Sequence, residues 1–115
     1  MDLDTLRTFC LSLPATSEDI KWVKDLCFLV GEKMFCVASL EPPLTCSFKV
    51  TDEEFGEISS REGFIPAPYM ARAKWVLVTD PGRLKKKDAE RYIRQSYALV
   101  VAKLTKKQRG ELGLE

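Results

Sequence analysis

Residues Trp22 to Val50 read W-V-K-D-L-C-F-L-V-G-E-K-M-F-C-V-A-S-L-E-P-P-L-T-C-S-F-K-V, three apolar runs separated by two breaks. In the first run, Trp22, Leu26, Phe28 and Val30 share one parity, interrupted by Lys24. Val23, Cys27 and Leu29 share the other, interrupted by Asp25. A polar start and an apolar end predict a strand that becomes more buried as it proceeds. Gly31-Glu32 predicts a tight turn. Lys33 to Leu40 is then the return strand, with Met34, Cys36 and Ala38 opposed to Phe35, Val37 and Ser39. Glu41-Pro42-Pro43 ends it, because proline cannot donate to a ladder. Leu44 to Val50 alternates cleanly: Leu44, Cys46, Phe48 and Val50 on one face, Thr45, Ser47 and Lys49 on the other. Such alternation suits a strand with one face toward water. Short connections between the runs require antiparallel neighbours.

Outward from this core, residues 2–13 predict a helix: Leu3, Leu6, Cys10 and Leu13 recur at helical spacing, and Pro14 stops it. Residues 15–21 are polar and read as a loop. Thr51-Asp52-Glu53-Glu54 matches a capping box and opens a helix to about Ser60. Phe64 to Tyr69 is extended, and Pro66 and Pro68 confine it to an edge or a loop. Ala73 to Thr79 reads as a strand and Asp80-Pro81-Gly82 as a turn. The last helix runs from about Lys86 to Leu104, and residues 106–115 read as a frayed tail. The expected order is α-β-β-β-α-β-β-α, an α+β fold with an antiparallel sheet and helices.

The 115 residues make one domain, 1–115. At this size the chain buries roughly two-thirds of its unfolded surface and needs no disulfide or metal to fold. Hydrophobic residues at 45% and charged residues at 30% exclude wholesale disorder. The acidic start (Asp2, Asp4) stands where an export signal is basic, and no apolar run is long enough to cross a bilayer. Cys10, Cys27, Cys36 and Cys46 lie 17, 9 and 10 residues apart, without a C-x-x-C pair. They read as buried reduced thiols, not a zinc site, and suit a cytoplasmic location.

The chain has no His, so a Ser-His-Asp arrangement is impossible and the commonest metal ligand is missing. Neither G-x-x-x-x-G-K nor G-x-G-x-x-G occurs. The acidic residues Glu18, Asp19, Asp52, Glu53, Glu54 and Glu57 raise the thought of iron. Those at 52–57 are more simply the favourable start of a helix and its solvated face. No enzyme, cofactor or metal site is expected. What stands out is charge. The net of +1 conceals 5 Lys/Arg against 11 Asp/Glu in residues 1–60 and 13 against 6 in residues 61–115. Arg83 to Arg109 holds 10 basic residues against Asp88 and Glu90. Such asymmetry points to an acidic or polyanionic partner. Lys87, Arg91 and Arg94 stand at i, i+4 and i+7, on one helix face. Arg83, Lys85 and Lys86 lie just before them. Arg72 and Lys74 flank the strand bearing Trp75, and Lys33 sits at a hairpin turn that can serve as a wing.

The order of elements and several local phrases resemble the MmcQ/YjbR family. The phrases are Leu6 to Pro14 (L-R-T-F-C-L-S-L-P), Lys33-Met34-Phe35, Pro68-Tyr69-Met70 followed by Lys74-Trp75, and Ser96-Tyr97-x-Leu99-Val100 closing with Lys103-Leu104. The resemblance implies a frataxin-like or secretion-chaperone-like α+β fold, and a DNA-binding role through a double wing of two split β-α-β units. It implies no cofactor and no catalytic set. Members often carry His before the Met that Met70 matches; Tyr69 stands there, so a His-based role is closed to this chain.

The resulting expectation is a cytoplasmic, monomeric, non-catalytic protein that binds double-stranded DNA, mainly at its phosphates. The residues expected to do so are Lys33, Arg72, Lys74, Lys85, Lys87, Arg91 and Arg94. The alternative is a protein- or peptide-binding adaptor that accepts a strand at an exposed edge, Leu44–Val50 or Phe64–Tyr69. No membrane association is expected.

Overall fold

The computed structural model describes residues 2–114, the side chain of Arg83 excepted. The chain forms α1 (Leu3–Ser12), β1 (Thr16–Lys21), β2 (Asp25–Val30), β3 (Lys33–Ser39), β4 (Cys46–Lys49), α2 (Asp52–Ser59), β5 (Phe64–Pro66), β6 (Trp75–Val78), α3 (Lys86–Ala102) and α4 (Lys106–Glu111). The six strands make one antiparallel sheet in the order β1-β2-β3-β4-β6-β5. The fold is α+β, as the hairpin-linked apolar runs predict.

Helices cover one face of this sheet. Leu26, Phe28 and Val30 of β2, Phe48 and Val50 beside β4, and Val76 and Val78 of β6 point to that side. They pack with Leu6 and Cys10 of α1, Ile58 of α2, and Tyr92, Ile93 and Val100 of α3. Phe48 stacks on Tyr92 at 5.3 Å, and Phe35 meets Tyr97 edge-on at 5.4 Å. Cys27, Leu29, Val37 and Trp75 form a smaller cluster on the opposite face, closed by Ala67 alone among fully buried loop residues. Among the described residues, no α-helix lies on that side.

Local chemistry sets the boundaries. Asp2 caps α1 by accepting from the Thr5 amide at 2.8 Å. Thr51 and Glu54 form the expected capping box of α2. Gly31 and Glu32, both at positive φ, make the two-residue turn between β2 and β3. A Cβ on Gly31 would come within 2.8 Å of the Leu104 side chain, so the glycine also lets the end of α3 close down on the hairpin.

Several elements depart from the sequence reading. Residues 15–21 are not a loop: Thr16–Lys21 form edge strand β1, whose backbone bonds come from pairing with β2 and not from any apolar alternation of its own. Trp22 and Val23 do not begin a strand; both take positive φ in the β1–β2 turn. In β3 the parity breaks at Phe35. The register with β2 slips between Phe28 and Leu29, and Phe35 joins Cys36 on the helix side as an extra residue. Residues 71–73 are a 3₁₀ turn, so the sixth strand begins at Trp75. Where a frayed tail was expected, Lys106–Glu111 form a short helix with a capping box of Thr105 and Gln108.

One interaction joins helix and sheet at a ladder position. β3 and β4 pair at Cys36↔Phe48, Val37↔Ser47 and Ala38↔Cys46. One step further, the fully buried Ser96 hydroxyl stands between the strands. It accepts from the Lys49 amide at 2.9 Å and donates to the Phe35 carbonyl at 2.7 Å. Replacing it by Ala strands both backbone groups. Ser96→Ala is expected to lower unfolding free energy by about 1–3 kcal/mol; a shifted urea midpoint at unchanged slope would show it.

Candidate functional site

The expected cations separate into two groups. The direction of α3 decides this. Tyr92 lies over Phe48, Ser96 over Phe35 and Lys49, and Leu104 over Gly31. The helix therefore runs from the Val78 end of the sheet to the Gly31 end, roughly 25 Å at 1.5 Å per residue. Lys85 and Lys87 belong to the first end. Lys33, at the start of β3, and Lys74, just before β6, belong to the second.

On the outer face of α3, Lys87, Arg91 and Arg94 are exposed, as their spacing predicts. Their charge is partly used. Arg91 reaches Asp88 at 3.6 Å and lies over the Tyr92 ring at 5.0 Å. Arg94 lies over Phe9 at 5.4 Å. Arg91 also acts on Glu54: burial opposes ionisation of that carboxyl, yet hydrogen bonds from Thr51 and Gln95 and the nearby guanidinium leave it below its usual value. This face is a mixture of signs.

At the Gly31 end the balance differs. β4 ends at Lys49, whose Cα partner is Trp75, so Lys49 and Lys74 are close across adjacent strands. The Val50 amide donates to the Lys74 carbonyl, and the Lys49 ammonium donates to the Ala73 carbonyl. Lys74 takes positive φ as it leaves the 3₁₀ turn, and its ammonium lies 5.1 Å from the Phe55 ring centre. Lys103 follows α3 at the same end. Burial holds the Lys49 ammonium below the usual lysine value, and the charges of Lys103 and Lys74 lower it further against the opposing pull of Asp52. Arg72 is exposed in the adjoining turn. Sequence reasoning missed Lys49 and Lys103. Both stand in apolar segments as the one charged residue, and only the packing of α3 on β4 brings them together. Arg83, among the cations read from the sequence, lies outside the described side chains.

Of the two proposed strand-accepting edges, Leu44–Val50 is excluded: β4 is an interior strand paired with β3 and β6. Phe64–Pro66 is an edge, three residues long and ending in proline.

The open sheet face holds a second feature, a cavity of about 860 Å³. Its floor is Val37, Ser47 and Leu77; its walls are the β1–β2 turn, with Trp22, and the segment after β5, with Tyr69 and Met70. Tyr69 is fully exposed and Trp22 is 63% exposed.

All four cysteines are free and buried. A hydrogen bond with Cys10 and burial raise the Cys36 thiol far above its usual value. Burial, with Cys10 adding to it, pushes Cys46 up to about 12. Among the described residues, no group of three His, Cys, Asp or Glu side chains is placed to hold a metal ion, and no helix is long and apolar enough to cross a membrane.

A six-stranded antiparallel sheet covered by helices on one side only is the class of fold this chain defines. The sequence profile of the YjbR family matches residues 11–99, and the chain belongs to that family. Among solved structures it is similar to the Deinococcus radiodurans protein DR2400, of family domain DUF419. The two share 31% identity at a TM-score of 0.87, covering 98% of this chain and 88% of that one. A Pseudomonas syringae protein shares the fold at a TM-score of 0.73 and 19% identity, covering 86% of this chain and 98% of its own. No curated protein matches the chain.

The thiols yield a pH prediction. A value raised in the native state means that the folded chain holds the proton more tightly than the unfolded one. The Cys46 contribution to stability is thus complete below about pH 9 and is lost as pH rises toward about 12. Thermal melts stepped through that range should fall in Tm by more than those of Cys46→Ala. Ellman's reagent at pH 8 should label all four thiols only after unfolding.

Proposed function

We propose that the protein is a non-catalytic DNA-binding protein that takes hold of backbone phosphates with the lysines at the Gly31 end of its sheet. The observation that carries this reading is the crowding of Lys49, Lys74 and Lys103, with Asp52 as the counter-charge acting on Lys49. Cations forced together raise one another's energy, and a phosphate oxygen placed among them relieves it. Lys33 on the β2–β3 turn and Arg72 on the turn before β6 extend the same end on either side. Both are exposed and suited to contact phosphate without reading bases.

Lys85, Lys87, Arg91 and Arg94 make a second, weaker strip. Asp88 and the neighbouring Glu54 already draw on Arg91, so this strip adds attraction without anchoring the complex. The absence of His from the sequence and the suppressed ionisation of Cys36 and Cys46 support a binding role over a catalytic one. The adaptor reading is the rival. Of the two edges expected for it only β5 lies at the rim of the sheet, and its three residues offer few backbone groups to an incoming strand; the opposite rim is the six-residue β1.

Retention on duplex DNA across a salt series separates these readings. Phosphate binding should weaken steeply with salt, with a log–log slope of roughly 0.9 per phosphate neutralised. Reversing Lys33, Lys74 and Lys103 together to Glu should abolish retention at low salt with far-UV circular dichroism unchanged. Reversing Lys87, Arg91 and Arg94 should weaken it and leave it measurable. Full retention by the first variant removes the sheet end from the interface; full retention by both, or salt-independent binding, rejects the DNA reading.

A further inference from the structure

The proposed DNA surface leaves the open face of the sheet unused, and that face is shaped for something else. The cavity there, about 860 Å³, falls in the range of small-molecule sites. Its floor comes from β3, β4 and β6, each with a strand on both sides. Their backbone donors and acceptors are therefore spent within the sheet. An extended peptide laid in the cavity would find no backbone partners for its own amides, and burying unpaired amides is costly. The occupant must carry few hydrogen-bonding groups.

Charge narrows the choice further. Lys24 and Asp25 stand together on one wall, one cation and one anion, so the cavity favours neither a polyanion nor a polycation. The remaining polar groups are the hydroxyls of Ser39, Thr45, Ser47 and Tyr69 and the Trp22 indole N–H. The Ser39 hydroxyl already accepts from the Thr45 amide at 2.8 Å. The walls supply flat surfaces: Trp22 from the β1–β2 turn and Tyr69 from the far side, beyond β5. Met34 and Met70 also line the cavity, and their flexible thioethers adapt to varied shapes and favour contact with rings.

The backbone at the two walls is also unusual. Trp22, Val23 and Tyr69 all take positive φ, where a residue other than glycine is held at a cost. Trp22 and Tyr69 gain little from burial within the chain to offset it, since Trp22 is 63% exposed and Tyr69 wholly so. We propose that the open sheet face is a binding site for a small, uncharged molecule built on a flat aromatic ring, held between Trp22 and Tyr69 above Val37 and Leu77.

The uncharged fluorophore N-phenyl-1-naphthylamine tests this with the full-length protein. Its emission should rise saturably with one molecule per chain. The negatively charged 8-anilinonaphthalene-1-sulfonate, with similar rings, should bind less tightly. Trp22→Gly combined with Tyr69→Gly should raise the dissociation constant by about tenfold or more, as expected for the loss of two aromatic contacts. The same variant should keep its Tm, because glycine accepts positive φ without strain, and should keep DNA retention. Should it melt early, Thr45→Tyr fills the cavity from its rim and should abolish uptake on a folded protein. Unsaturable emission, or uptake unchanged in either folded variant, overturns the site. So does a dimer that the double glycine variant disperses, which would make a second copy the occupant, or tighter binding of an uncharged apolar peptide than of the fluorophore.

Discussion

The buried hydroxyl of Ser96 fixes the relation between the long helix and the sheet. It occupies the place where the Lys49 amide and the Phe35 carbonyl would otherwise meet, so it is at once a helix side chain and a rung of the ladder. An apolar residue there would leave two backbone groups unpaired in the core, and a larger one would force the strands apart. With that point set, the pitch of α3 places Tyr92 on Phe48 and Leu104 against Gly31. Everything at the two ends of the helix, including the position of Lys103, follows from this anchor.

The second constraint is one-sided coverage. The helices bury one face of the six strands, and among the described residues no α-helix covers the other. The segment Ala67–Met70 closes part of that face over Trp75, through the Ala67 amide bonded to the Trp75 carbonyl at 3.0 Å. The rest stays open as a concave apolar surface. Singly scattered apolar residues are ordinary on a protein surface; a contiguous concave patch of this kind is not.

Electrostatics on the two basic regions differ for a local reason. A helix surface places residues three and four apart side by side, so Arg91 inevitably meets Asp88. A sheet end gathers residues from segments distant in sequence, so Lys49 meets Lys74 and Lys103, with Asp52 as the opposing charge. Net charge along the chain is therefore a poor guide to where cations gather in the fold: Lys49 and Lys74, which meet Lys103, lie outside the densest basic stretch of sequence.

Much of the architecture was legible in the residues. Alternation marked β2 to β4, the capping box at Thr51 and Glu54 marked α2, and the apolar stripe from Ala89 to Leu104 marked α3, because each is a local pattern that burial imposes directly. β1 was not legible, since an edge strand of T-S-E-D-I-K owes its conformation to bonds offered by β2. The slip at Phe35 was hidden because a bulge inserts a residue without altering composition. Of the surfaces, the exposure of Lys87, Arg91 and Arg94 could be read from helical spacing, but their partial neutralisation could not. The meeting of Lys49 with Lys74 and Lys103, and the placing of Trp22 and Tyr69 around one cavity on the open face, belong to tertiary structure alone. Sequence determines which faces of each element shun water; only packing those faces together decides which distant side chains become neighbours, because the approach is set by the shape of the whole core and not by any one segment.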